Sequence, residues 1–106
     1  MVIKFPYSSL KVCFLEVIFC KSILLIIAEN NLYVVFVEVK SRSADYAVHP
    51  AEAVNVPKQR TIINAASNYI DTYGVYKEAR FDIITVIITG SSHEIDHIES
   101  AYYPTM

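Results

Sequence analysis

Residues 32–42 constrain the fold more than any other part of the sequence. They are rich in β-branched and aromatic residues, which favour a β-strand. Because alternate side chains of a strand share a face, one face takes Leu32, Val34, Phe36, Glu38 and Lys40, and the other takes Tyr33, Val35, Val37 and Val39. Both faces are apolar until Glu38, as expected for a central strand covered on both sides.

The other elements follow from similar patterns. Continuously apolar residues 23–28 predict a second buried strand, and residues 81–89 and 93–98 predict two more. A helix is predicted from a cap at Asn55, through Pro57 in its first turn, to about Tyr73, with Gly74 ending it. Residues 43–50 predict a loop and residues 50–54 a short helical turn, whereas residues 1–22 show no clear period. The sequence therefore predicts a mixed sheet crossed by one long helix.

Length and composition favour one globular domain over residues 1–106. The chain has 106 residues, 54% of them hydrophobic and 19% charged, which excludes a disordered chain. Its net charge of −2 gives no global attraction to nucleic acid. Residues 40–60 carry more basic than acidic side chains, so any contact with nucleic acid is expected to be local.

Cellular location is predicted from the cysteines and the apolar segments. Cys13 and Cys20 are seven positions apart, which fits neither a redox pair nor zinc-ligand spacing, and this favours a reduced, cytoplasmic setting. Glu16 and Lys21 interrupt the apolar residues 12–27, so we expect neither a membrane span nor a signal peptide.

Two patterns could carry chemistry. Glu38 and Lys40 share a strand face about 7 Å apart, and a carboxylate with a nearby ammonium can support metal-assisted hydrolysis. The alternative for this pair is an ordinary solvated ion pair. Residues 93–97 match the H-E-x-x-H zinc pattern, but their place after a Gly-Ser-Ser turn favours a strand over a zinc-binding helix. His49 is isolated and is expected to be a surface or packing residue.

Four sequence motifs occur in an order and spacing that match a known protein family. They are Val35-Phe36-Val37-Glu38-Val39-Lys40-Ser41-Arg42, then Pro50-Ala51-Glu52-Ala53-Val54 with Lys58-Gln59-Arg60, then Arg80-Phe81-Asp82-Ile83-Ile84, then His97-Ile98-Glu99-Ser100-Ala101-Tyr102. Their spacing closely resembles the YraN-like family of uncharacterised bacterial proteins, over roughly residues 26–104. This family is similar to restriction-endonuclease-like proteins and archaeal Holliday-junction resolvases.

The resemblance implies a fold and a reaction. The fold is a restriction-endonuclease-like α/β domain of three layers, and the reaction is phosphodiester hydrolysis of branched or damaged DNA with Mg²⁺ or Mn²⁺. Carried over by motif, Glu38 is the metal ligand, Lys40 the catalytic lysine and Gln59 a polar helix residue facing the site. The basic residues near that site are expected to contact phosphates; they are Arg42, Lys58 and Arg60.

The chain departs from the family before residue 26. Leu25 stands where the resemblance places a metal-binding Asp, and residues 1–22 lack the family's first helix. Either the site has decayed in a divergent member, or residues 1–22 come from a wrong start or a shifted frame ahead of a core at 23–104. We expect weak or no cleavage. The alternatives are a non-catalytic module that binds nucleic acid or protein, and a chain that self-associates, for example as a homodimer.

Overall fold

The computed structural model of the chain describes residues 2–5, 8–18, 23–43 and 56–104. Its elements, in chain order, are β1 (Val2–Phe5), β2 (Ser8–Ile18), β3 (Ile23–Glu29), β4 (Tyr33–Ser43), α1 (Val56–Tyr73), β5 (Glu78–Thr89) and β6 (Ser92–Tyr102). The strands form one sheet in the order β1-β2-β3-β4-β5-β6. The predicted loop at 43–50, the turn at 50–54, His49 and the Asn55 cap lie outside the described residues, apart from Ser43, which ends β4.

The predicted central strand is confirmed as β4. It pairs antiparallel with β3 and parallel with β5, so the sheet is mixed, as expected. The side chain of Asn30 forms the turn before it, accepting hydrogen bonds from the backbone N–H groups of Leu32 and Tyr33. Because β4 and β5 are parallel neighbours, the chain between them must return along the sheet, and α1 makes that crossover.

The sheet has two faces with separate cores. We call the face that packs on α1 the helix face; it holds Leu25, Phe36 and Phe81, which pack with Ile62 and Ala66 of the helix. The other, which we call the opposite face, holds Val35, Val37 and Ile84 with Leu10 and Ala28. The alternation predicted for residues 33–40 therefore places each apolar side chain on its expected side of the sheet.

The helix begins and ends near the predicted positions. Val56 and Pro57 occupy its first turn, where proline is tolerated, and the hydroxyl of Thr61 donates a hydrogen bond to the Pro57 carbonyl at 3.0 Å. Gly74 follows the last helical residue with φ of 61°, a left-handed conformation that favours glycine. None of the described helices is long and apolar enough to cross a membrane.

The N-terminal part of the chain, left unassigned by its pattern, adds two strands to the sheet. β2 pairs antiparallel with β3, and β1 pairs with β2. In the described parts of the chain, α1 is the helix that covers the sheet, so the helix layer lies on one face. The architecture is an α/β fold consistent with the restriction-endonuclease-like class.

The H-E-x-x-H segment lies in β6, which confirms the strand predicted there. β6 pairs antiparallel with β5 and forms one edge of the described sheet. Side chains of consecutive strand residues point to opposite faces, so His93 and His97 share a face with Ile95 between them. The helical geometry that would present two imidazoles to zinc is not formed here.

Candidate functional site

Glu38 lies in a row of residues that crosses the sheet. It is in register with Leu25 of β3 on one side and with Ile83 of β5 on the other. Residues in register on neighbouring strands share a face, so Leu25 and Glu38 both lie on the helix face, with backbones about 5 Å apart. Lys40 follows on the same face, in register with Thr85.

The two charged groups of the triplet do not neutralise each other. Glu38 and Lys40 are both half-buried, and they form no ion pair with each other or with other described residues. Arg42, the next residue on the helix face, has its Nε atom buried with no hydrogen-bond partner among the described residues. Glu38 and Lys40 therefore do not form the ordinary ion pair considered for a strand end. The Glu38 carboxylate and the Lys40 ammonium are both available to a ligand.

The helix brings Gln59 to this end of the sheet. Tyr69 packs edge-on against Phe36, with ring centroids 6.0 Å apart. The ten residues from Tyr69 back to Gln59 span about 15 Å of helix, and the four residues from Phe36 to Lys40 span about 13 Å of strand. Since α1 runs opposite to β4, Gln59 is level with Lys40, and it lies on the same side of the helix as the buried Ile62.

The two basic residues beside Gln59 differ in position. Lys58 is half-buried in the first turn of α1, whereas Arg60 is exposed on the side of the helix that faces away from the sheet. The structure thus brings Glu38, Lys40, Arg42 and Gln59 to one end of the helix face. It does not bring Arg60 to Glu38.

The described residues fit a two-carboxylate magnesium site poorly. Magnesium prefers carboxylate oxygens, and Leu25, fully buried directly beside Glu38, offers none. Glu29 is engaged elsewhere, since its carboxylate forms an ion pair with Lys77 at 3.2 Å. Glu16 is in register with Leu25, two strands from Glu38. Across the part of the chain that the structure describes, no group of three or more His, Cys, Asp or Glu residues could hold a metal ion.

A second polar cluster, which the sequence analysis did not single out, lies on the opposite face around Asp82. This carboxylate is fully buried and in register with Val37, so it lies on the other face of the sheet from Glu38 and cannot complete its site. It accepts two hydrogen bonds from Arg80, at 2.9 and 2.8 Å, and lies 2.8 Å from Nε2 of His97. The hydrogen bond to Asp82 raises the pKa of Arg80, which also lies 5.2 Å above the ring of Tyr33.

Asp82 also fixes an irregularity in β6. The pairing of β5 with β6 shifts between Phe81 and Ile83, where β6 carries extra residues. Within that bulge Ser100 has φ of 51°, and its backbone N–H donates to Asp82 at 3.1 Å. The buried carboxylate therefore holds a strained backbone position that returns Tyr102 to register with Phe81.

Replacing Ser100 by glycine is expected to raise the free energy of unfolding by about 0.5–1 kcal/mol. The left-handed conformation costs a serine about 1–2 kcal/mol, more than the extra chain entropy of about 0.5–1 kcal/mol that glycine loses. Urea unfolding measures the change. Ser92→Gly, in the same strand without positive φ, is the control and is expected to destabilise; a Ser100→Gly variant that also destabilises would contradict the strain.

One sequence signal did point to this cluster. Arg80 and Asp82 are charged residues two apart in a strand whose other residues are mostly apolar, and His97 belongs to the H-E-x-x-H pattern. The pairing of β5 with β6 was needed to bring them together, because the bulge sets which residues of β6 face Asp82.

Comparison with known proteins gives consistent matches. Residues 14–86 match the model of the Uncharacterised protein family UPF0102. A UPF0102 protein of Bacteroides thetaiotaomicron is 41% identical over 81 residues, which cover 76% of this chain and 67% of the relative. Those of Parabacteroides distasonis and Chlorobium phaeobacteroides are 41% and 36% identical over 78 and 84 residues, covering 74% and 73% of this chain. The matched part spans 64% and 66% of those two relatives, about two-thirds of their length.

Proposed function

Because the chain belongs to the Uncharacterised protein family UPF0102, the YraN-like family that its motifs resemble, we propose that it binds DNA and cleaves phosphodiester bonds weakly or not at all. The observation that carries this proposal is the row across the sheet, in which fully buried Leu25 lies beside Glu38. The chain keeps the lysine and the basic residues that contact phosphate, but it offers a metal ion one carboxylate there.

The basic, amide and acidic side chains of the site are expected to affect DNA binding differently. Lys40 and Arg42 project from the end of β4 on the helix face, and each can donate to a phosphate oxygen. Gln59, level with them on α1, has an amide that can donate to the same backbone. Glu38 repels phosphate when no cation is bound, so the site is expected to bind DNA despite this carboxylate. With a net charge of −2, the whole chain adds no attraction of its own, and affinity should depend on these local contacts.

Binding to junction, flap and single-stranded DNA tests the proposal, in EDTA and at increasing salt. We expect the logarithm of the binding constant to fall linearly with the logarithm of salt concentration. Lys40→Ala or Arg42→Ala should reduce that slope by about 0.9 on duplex DNA for each phosphate that the variant no longer neutralises. Lys77→Ala is the matched control, because Lys77 precedes β5 and pairs with Glu29. Glu38→Ala is expected to strengthen binding in EDTA, since it removes a repelling charge.

Cleavage is measured on the same DNA with Mg²⁺ or Mn²⁺. The proposal expects little or no product from the natural chain, and no difference between it and Glu38→Ala. Efficient cleavage that Glu38→Ala abolishes would support the nuclease alternative and overturn the part of the proposal that assigns weak cleavage. Equal cleavage by both proteins would indicate a contaminating nuclease.

A protein-binding role is the second candidate, favoured by apolar side chains near the edge strand. Ile88, Ile95 and Ile98 are each between 46% and 48% exposed. If DNA does not bind even at low salt, contact with a protein partner or with a second copy of the chain becomes the better explanation. Light scattering at several concentrations then tests for the homodimer.

A further inference from the structure

Three aromatic rings form a row across the helix face. Phe36 of β4 stacks on Phe81 of β5 with centroids 5.5 Å apart, and Phe81 stacks on Tyr102 of β6 with centroids 5.3 Å apart. The register of the strands explains the row, because Phe36 pairs with Phe81 and Phe81 with Tyr102. For this stacking a phenylalanine at position 102 would serve as well as the tyrosine.

Tyrosine differs from phenylalanine by its hydroxyl, and the Tyr102 hydroxyl has no partner among the described residues. It is also buried. A buried hydroxyl without a partner has lost its hydrogen bonds to water and gained nothing in return. Its presence therefore costs stability unless an acceptor lies within reach.

Two carboxylates are close enough to affect this phenol. Burial raises the pKa of Tyr102 well above its usual range, and the charges of Glu38 and Asp82 raise it further. Asp82 is already bonded to Arg80, His97 and the backbone of Ser100, so its oxygens are occupied. Glu38 forms no hydrogen bond with other described residues, so it is an acceptor without a donor.

The register places the two groups on the same face. Phe36, two residues before Glu38, is the residue of β4 level with Tyr102. Tyr102 therefore lies two strands across from Glu38, about 10 Å, and two residues back along the strands, about 7 Å. Both side chains extend into the layer between sheet and helix, where one water can bridge a separation too long for a direct bond.

We propose that Tyr102 is a positioning residue of the Glu38 site, its hydroxyl donating a hydrogen bond to one bound water that in turn donates to the Glu38 carboxylate. The bond restrains Glu38 towards β6 and away from Lys40, which leaves the ammonium free for phosphate. Only the role of the Lys40 ammonium rests on the proposed function. The hydrogen bond itself is a property of the folded chain.

A double-mutant cycle of Tyr102→Phe and Glu38→Ala tests the bond through folding. In the natural background Tyr102→Phe is expected to lower the folded-to-unfolded ratio roughly tenfold, as for a hydrogen bond to a charged group. In the Glu38→Ala background the same change is expected to have no effect or to raise that ratio, because the hydroxyl then has no acceptor. Tyr103→Phe, next in sequence and 74% exposed, is the matched control and should be neutral in both backgrounds.

The results separate the bond from the other roles of Tyr102. If Tyr102→Phe has the same effect with and without Glu38, or stabilises the natural chain, the positioning role is wrong. DNA affinity, measured on the same variants, is expected to change on Tyr102→Phe when Glu38 is present and not in Glu38→Ala. A chain that shows coupling in folding but no DNA binding would contradict the proposed function and leave the bond in place.

Discussion

Replacing Asp82 by asparagine is expected to lower the free energy of unfolding by about 3–5 kcal/mol, the usual range when one partner of a buried ion pair is removed. Arg80, with its side chain 10% exposed, would keep its charge and lose the opposite charge that faces it, since one of the two oxygens that accept its hydrogen bonds becomes an amide nitrogen. Small domains are stable by only about 5–15 kcal/mol, so part of the population should unfold at 37 °C. Urea unfolding, followed by circular dichroism, measures the change.

The control for this variant is Asp96→Asn. Asp96 is also in the β5–β6 pair but is exposed, so its replacement should change the free energy by no more than about 0.5 kcal/mol. Loss of the bulge should accompany the loss of stability, because the Ser100 N–H would face an amide in place of a carboxylate. A change of less than about 1 kcal/mol in Asp82→Asn would show that the cluster contributes little to folding.

Much of the central sheet was predictable because its residues follow a simple period. In β4 the two-residue alternation assigns Val35 and Phe36 to opposite faces, and both are fully buried where the pattern places them. The helix is bounded by strong local signals, Pro57 in its first turn and Gly74 after its last. The same alternation predicts that Glu38 and Lys40, two residues apart in β4, lie on one face of the sheet.

Register between strands could not be predicted in this way. The family resemblance sets Leu25 at the position of a metal-binding Asp, but only the pairing of β3 with β4 places it beside Glu38. The Asp82 cluster depends on a bulge in β6, whose local sequence carries no glycine to mark a left-handed residue. β2 escaped prediction because its mixture of apolar, hydroxyl and charged residues follows neither the strand period nor the helix period.

The two faces of the sheet carry different polar chemistry for a physical reason. On the opposite face both oxygens of the Asp82 carboxylate have hydrogen-bond donors, and a carboxylate satisfied in this way can be buried. On the helix face Glu38, Arg42 and Tyr102 are polar groups whose bonding is incomplete within the described chain. Groups left incomplete at one end of a rigid sheet are the ones that a ligand can satisfy, which is why we assign function to that end and stability to Asp82.

Replacing Leu25 by aspartate is expected to make the chain respond to magnesium. In EDTA the new carboxylate, at a fully buried position beside Glu38, should lower the free energy of unfolding by about 3–5 kcal/mol. Two carboxylates about 5 Å apart along one row can share a metal ion, and Mg²⁺ at about 100 times its dissociation constant would restore about 2.7 kcal/mol. Urea unfolding in EDTA and across a Mg²⁺ titration measures both effects, and cleavage of junction DNA is expected to rise above that of the natural chain.

Two further variants decide whether the recovery comes from a metal held by this row. Leu25→Asn introduces a polar group of the same size without charge, and it should lose stability without regaining it in Mg²⁺. Leu25→Asp combined with Glu38→Ala should behave in the same way, because one carboxylate is again missing. If Leu25→Asp gains no more stability from Mg²⁺ than the natural chain, the row through Glu38 is not half of a metal site, and the nuclease origin of this surface is wrong.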